Sequence, residues 1–171
     1  MATYRHLTAQ QSVAAVHDLR EVYAAVFREP PYNEGPEMAD KFVGWVRDES
    51  TEPGFDMVLA QEAGRVLGFA YGYTKPAGEW WRGADRPAPD EVKSGPTFAV
   101  MEWAVQSASR GQGVGRRLMV ELLAPRSEPF AALTVNPAAD ARALYERWGW
   151  RHIATTQPGR MPGMDVMVLK L

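Results

Sequence analysis

The chain has no cysteine, and only three histidines (His6, His17 and His152) occur among its 171 residues. Without thiols there is no disulfide framework, no thiolate metal site and no cysteine nucleophile. Three scattered histidines argue against a histidine-built metal centre, and no metal is expected. A large excess of one charge sign is missing too. The formal net charge is −2, so no global basic field draws the chain to nucleic acid, while a mild acidity suits a cationic partner such as an amine. No run approaches the roughly 18 apolar residues of a membrane span. The opening Met1-Ala2-Thr3-Tyr4-Arg5-His6-Leu7 lacks the continuous apolar stretch of a signal peptide, so a cytoplasmic location is the expectation. Repeats and low-complexity tracts are also lacking.

What is present reads as one globular domain over residues 1–171, with 46% hydrophobic and 23% charged residues. A short strand near Tyr4 to Leu7 precedes a helix, because Val13, Val16, Leu19, Tyr23, Val26 and Phe27 recur at helical spacing. Glu29-Pro30-Pro31-Tyr32-Asn33 stops that helix. A second opens at Pro36, a favoured first helical position, with Met38, Phe42, Trp45 and Val46 inward. Pro53-Gly54 turns into a strand at Met57 to Ala60, and Glu62-Ala63-Gly64-Arg65 connects it as a hairpin to Val66 to Tyr73. Lys75 to Pro96 is a long loop carrying Trp80 and Trp81, either functional or a surface insertion whose tryptophans cover the core edge.

Phe98 to Val105 is a short apolar run, expected as a buried strand. Val114, Leu118 and Leu122, with Met119 and Leu123, mark a helix ended by Pro125. Ala131 to Val135 is a strand, and Ala141, Leu144, Tyr145 and Trp148 line a helix that Gly149 ends. Trp150 to Thr155 and Asp165 to Leu171 close the chain as strands joined by a Pro-Gly-rich connection.

Between the apolar run and the next helix lies Arg110-Gly111-Gln112-Gly113-Val114-Gly115-Arg116. Its glycines permit backbone angles closed to other residues and a close approach to a ligand. The first amides of the following helix have no partners within the helix, and the helix dipole adds to them, so the turn is fit for phosphate. Arg110, Arg116 and Arg117 supply cations. A Walker A loop is excluded, since no Lys-Ser or Lys-Thr ends the run. Gly111-x-Gly113-x-Gly115 also departs from the dinucleotide fingerprint in spacing and context.

The run matches the Arg/Gln-x-x-Gly-x-Gly/Ala loop of GNAT acetyltransferases. Phe98-Ala99-Val100-Met101-Glu102-Trp103-Ala104-Val105 resembles that family's fourth strand. Ala131 to Val135 with Ala141-Arg142-Ala143-Leu144-Tyr145-Glu146-Arg147-Trp148-Gly149-Trp150 resembles its fifth strand and following helix. The resemblance covers Met57 to Trp150 well. It implies a single-domain α/β (α+β) fold, with a mixed, mostly antiparallel sheet of about six to seven strands and about four helices on both faces.

The resemblance also implies acetyl-CoA as cosubstrate and direct transfer of its acetyl group to a primary amine, of a small molecule rather than a protein. Residues 110–116 would hold the pyrophosphate, and backbone of Trp103, Ala104 and Val105 the pantetheine arm where the fourth and fifth strands splay. Tyr145 would protonate the departing thiolate, unless it only packs. Glu102, a charge inside an apolar strand, is either the base for the amine or a structurally paired carboxylate. Strand alternation sets it with Phe98, Val100 and Ala104, opposite Met101, Trp103 and Val105.

Family members often carry asparagine seven residues before that tyrosine, where this chain has Ala138. Asn136 either reaches the cofactor instead or caps the helix ahead of Pro137. The acceptor pocket would draw on Tyr32, Asn33 and Glu34, with Trp80 and Trp81 as lid aromatics. Two other readings use the same loop: a non-catalytic acyl-CoA-binding or sensing module, and a nucleotide-binding protein. A homodimer is open, being common among relatives.

Overall fold

The computed structural model describes residues 1–157 and 163–171, so part of the Pro-Gly-rich connection lies outside the described residues. Among the described residues, seven strands form a mostly antiparallel sheet in the order β1-β2-β3-β4-β5-β7-β6. They are β1 (Thr3–Leu7), β2 (Asp56–Glu62), β3 (Arg65–Lys75), β4 (Thr97–Val105), β5 (Phe130–Val135), β6 (Arg151–Thr155) and β7 (Asp165–Lys170). Two compact units divide the chain, Met1–Tyr73 with Val100–Arg126 and Thr74–Ala99 with Ser127–Leu171.

In the first unit, β1 lies antiparallel to β2 from Thr3↔Gln61 to Leu7↔Met57, and β2 to β3 from Asp56↔Gly72 to Glu62↔Arg65. The hairpin between β2 and β3 turns on Ala63 and Gly64, both at positive φ. Both faces of this part of the sheet are covered, which is why β2 reads as a continuous apolar run. Met57, Leu59, Phe69 and Tyr71 pack with Leu19, Tyr23, Phe42 and Val46 of two helices, α2 (Val16–Phe27) and α3 (Pro36–Glu49). The alternate positions meet α5 (Val114–Leu123), where Leu118 approaches Gly68 and the helix rests on β2 and β1.

The single N-terminal helix read from sequence is two. Helix α1 (Ala9–Ala14) opens with a Thr8–Gln11 capping box, and α2 restarts after Ala15. Periodicity continues across the junction because both pieces bury residues on the same side. Helix α3 starts at Pro36 as the sequence indicates.

In the second unit, β4 pairs in parallel with β5 from Thr97↔Phe130 to Ala99↔Ala132, and β7 lies antiparallel between β5 and β6. Residues 75–96 are more ordered than a bare loop: they contain a short α4 (Asp90–Lys93) and an isolated bridge from Ala84 to Thr156. Trp80 and Trp81 pack against Ala88, Val92, Phe130, Ala132 and Val168, so their rings cover this unit's own core. Helix α6 (Asp140–Arg147) ends at Trp148, with Gly149 at φ 91 as the stop.

Candidate active site

The glycine loop is built as its sequence demands. After β4 a 3₁₀ turn at Ser107–Ser109 leads into Gly111 and Gly113, at φ 73 and 81, and Gly113 caps α5 in the left-handed region. A β-carbon at Gly111 or Gly113 would meet nothing within 4 Å, so the loop's outer face is open to a ligand. The first-turn amides of α5 are donors without helical acceptors. This cradle fits a pyrophosphate.

Its cations divide their work. Arg110 donates through Nε to the Val105 carbonyl at 3.0 Å and pairs with Glu29 at 2.5 Å, which fixes the loop's own shape. Arg117 pairs with Glu121 and lies over the Tyr4 ring. Arg116 is exposed, with no ion pair among the described residues. Gln112 donates to the Ala108 carbonyl at 2.9 Å. Trp103 donates its indole N–H to the Gly115 carbonyl at 3.1 Å, anchoring the helix start to β4.

A cluster of acids and tyrosines occupies the same unit. Tyr23, on the buried face of α2, stacks on Phe42 and donates its hydroxyl to Glu34 at 2.7 Å. Tyr71 on β3 donates to Glu49, the last residue of α3, at 2.6 Å. Tyr32 packs edge-on against Phe27. The turn between α2 and α3 closes with Glu34 N–H donating to the Phe27 carbonyl, after Asn33 at φ 50, and this brings Glu34 back to Tyr23.

Glu102 of β4 is felt by all three tyrosines. Its side chain keeps partial solvent access, yet burial is the main cause that pushes its carboxyl well above the usual range, followed by repulsion from Glu49 and Glu34. Among the described residues, no hydrogen bond or ion pair reaches it. Burial, Glu102 and Glu34 push the Tyr32 phenol up to about 12. Tyr23 is raised further, by burial first and Glu102 next. The phenols therefore stay protonated and act as donors. Glu34 is itself raised by burial, with the Tyr23 hydrogen bond opposing and nearby Glu37 reinforcing.

Alternation in β4 holds beside the glycine loop: Trp103 and Val105 both face Gly115 of α5, while Ala104 packs, with Met101, into the cluster that holds α2 and α3 residues. Glu102 and Glu34 both raise the Tyr32 phenol, and Glu34 raises the Glu102 carboxyl. Asn33, between Tyr32 and Glu34 in the chain, is exposed. Tyr23, Tyr71 and Glu49 were not singled out from sequence. The available signal was a tyrosine at a core position, whose hydroxyl must find a partner when buried.

In the second unit, Tyr145 is buried on α6, 6.1 Å from the Trp148 ring and 5.7 Å from Trp150. Asn136 does not cap α6. Its Oδ1 accepts from the Ala138 N–H at 2.9 Å, its carbonyl accepts from Ala139, and the helix begins only at Asp140. The side chain closes a turn that Pro137 initiates, which postpones the helix by a few residues. Among the described residues, no group of three metal-ligating side chains assembles and no helix is long and apolar enough to cross a membrane.

No match was found among curated proteins. Solved structures of the same fold include a protein from Desulfovibrio desulfuricans assigned to the GNAT family (21% identity, TM-score 0.69, covering 100% of this chain and 98% of the other). Another is the PaiA N-acetyltransferase of Thermoplasma acidophilum in complex with coenzyme A (11% identity, TM-score 0.65, 100% and 99% covered). A third is the ribosomal-protein-S18-alanine N-acetyltransferase of Escherichia coli (15% identity, TM-score 0.64, 99% and 94% covered). At such identities the likeness shows the fold alone. The sequence model of the acetyltransferase (GNAT) family matches residues 17–150, from α2 through the glycine loop to the end of α6. The chain belongs to the GNAT family of acetyltransferases.

Proposed function

We propose that this acetyltransferase moves the acetyl group of acetyl-CoA to the primary amine of a small molecule, with Glu102 as the base. The observation that carries the reading is the Glu102 carboxyl: without a structural partner and raised by burial and by like charge. An amine of lysine-like pKa is neutral only about one part in a few thousand at pH 7. A carboxylate of raised pKa takes the ammonium proton, directly or through water. The nitrogen lone pair then attacks the thioester carbonyl carbon, the C–N bond forms, the C–S bond breaks, and the second proton the nitrogen sheds in becoming an amide is balanced by the proton that the departing thiolate takes up to leave as thiol. The open glycine cradle and Arg116 support the cosubstrate assignment, and the coenzyme A bound to the Thermoplasma neighbour is in keeping with it.

Two measurements test this. Acetyl-CoA is expected to raise the melting temperature, and thiol release is expected with at least one amine of a broad panel. Stabilisation by NAD or ATP in place of acetyl-CoA would overturn the donor. Binding of acetyl-CoA without release for any amine would leave a sensing module instead.

Tyr145 as the acid for the departing thiolate is part of the proposal and rests on the family motif. A phenol is protonated at neutral pH and can donate. A thiolate is already a fair leaving group, better than an alkoxide, because a thiol is the stronger acid. Tyr145→Phe is therefore expected to lower kcat by about 10², the low end of acid catalysis. Unchanged kcat and an unchanged alkaline limb would leave Tyr145 a packing residue.

A further inference from the structure

The glycine loop and the turn between α2 and α3 are joined by one ion pair between residues 81 positions apart in sequence. Nη1 of Arg110, the first residue of the loop, lies 2.5 Å from Oε2 of Glu29, which follows the C-cap of α2. Glu29 also organises the backbone of the turn. Its carbonyl accepts the amides of Tyr32 at 3.1 Å and Asn33 at 3.2 Å, and the Phe27 carbonyl accepts that of Glu34 at 2.9 Å. The guanidinium is fixed at a second point, since Nε donates to the Val105 carbonyl at 3.0 Å. A side chain already held there has little freedom left to lose, which sets this pair apart from two loose chains meeting in water. With 44% and 41% of the two side chains exposed, it adds little to stability; what it does is tie the end of β4, the loop and the turn together.

We infer, on the acetyltransferase reading, that Glu29 is a positioning residue for acetyl-CoA, which braces the glycine loop through Arg110 and couples the order of that loop to the turn at residues 32–34. The loop needs a brace from outside. Gly111 and Gly113 follow Arg110 at φ 73 and 81, and glycine backbone has little stiffness of its own. Phosphate seated on the loop amides favours the braced loop over a loosened one. The braced loop holds Glu29, and the Glu29 carbonyl holds the amides of Tyr32 and Asn33. Linkage makes the effect mutual: whatever acetyl-CoA gains from the closed turn, the turn gains from acetyl-CoA. The same turn places Glu34 against the Tyr23 hydroxyl, at 2.7 Å, so its closure also fixes that carboxylate.

The test compares the full chain with Glu29→Gln, Arg110→Gln and the double variant. Calorimetric titration gives the Kd of acetyl-CoA. Hydrogen exchange at the Tyr32, Asn33 and Glu34 amides, followed by NMR with and without acetyl-CoA, reports the order of the turn. In the unaltered protein acetyl-CoA is expected to slow exchange at these amides. Glu29→Gln is expected to raise Kd about two- to fivefold, the range of one half-exposed ion pair, and to remove most of the slowing. In the Arg110→Gln background the same substitution should change neither readout further. A pair that only supports the fold would lower the melting temperature of the free protein and leave Kd and the slowing as they were, which overturns the inference. So do additive effects in the double variant, or an unaltered protein that binds acetyl-CoA without slowing at the turn. Tighter binding by Glu29→Gln overturns it too, because Glu29 would then compete with phosphate for Arg110. In all these cases the acetyltransferase reading stands; failure of the unaltered protein to bind acetyl-CoA overturns both.

Discussion

Glu102→Gln is expected to lower turnover of the amine by about 10²–10⁴ at neutral pH, the range for loss of a positioned base. Acetyl-CoA should still stabilise the variant, because the glycine loop is held by Arg110, Gln112 and Trp103 and not by Glu102. The pH profile decides whether the loss is that of a base. Burial and repulsion from Glu49 and Glu34 raise the Glu102 carboxyl, so the acid limb of kcat/KM should lie above the ordinary carboxylate range. Activity falls as the pH drops through that limb, and the limb should vanish in Glu102→Gln. Bound cations lower the same pKa, so the limb of kcat should lie below that of kcat/KM. A variant that keeps the wild-type limb would show that another group takes the proton.

The same substitution has a signature in stability. Between the ordinary carboxylate pKa and the raised value in the fold, native protein holds a proton that unfolded chain has released. Stability therefore declines as pH rises through that window, and below it the effect is absent. Glutamine is neutral throughout. Glu102→Gln should accordingly melt higher than wild type above the window and nearly level with it below. Each kcal/mol recovered is worth about 2–4 °C in a chain of this size. A gain at both ends of the pH range would point to packing instead of charge.

The environment that raises the Glu102 carboxyl was only half legible in the sequence. Glu102 stood out as a charge within an apolar strand, while Glu34 entered only through the acceptor pocket that the family resemblance implies. Tyr23 and Tyr71 did not, because hydrophobic periodicity counts a tyrosine ring as core and is blind to where its hydroxyl goes. Nothing local in the sequence marks Glu49, and only the return of β3 past α3 gives it Tyr71 as a partner. Strand alternation was legible at Trp103 and Val105, which share the face towards Gly115. Helix α3 and the glycine loop were plain, because proline and glycine act through the backbone and need no distant partner. The tryptophans of residues 75–96 carried no such local signal, and their packing on Val92 and Val168 depends on long-range contacts.

The third loop glycine should be the least tolerant of substitution, for a reason unlike that of its neighbours. Gly111 and Gly113 need positive φ but have room for a methyl group, so alanine at 113 should cost about 1–2 kcal/mol of backbone strain and weaken acetyl-CoA binding only to that extent. Gly115 is different. A β-carbon there would sit 2.6 Å from Cζ2 of Trp103 and 3.4 Å from a Val105 methyl. The indole cannot simply swing away, because its N–H is bound to the carbonyl of Gly115 itself. Gly115→Val must therefore move Trp103 or tilt the first turn of α5, and both displace the amides that face phosphate. Overpacking of this kind costs about 1–3 kcal/mol, so acetyl-CoA affinity should fall by tenfold or more and the protein should melt lower. Trp103→Leu clears the space: combined with Gly115→Ala it should recover part of the affinity that Gly115→Ala loses alone, giving a non-additive cycle. Calorimetric titration of acetyl-CoA against the four proteins measures it, and strictly additive losses would show that the indole is not what the third glycine makes room for.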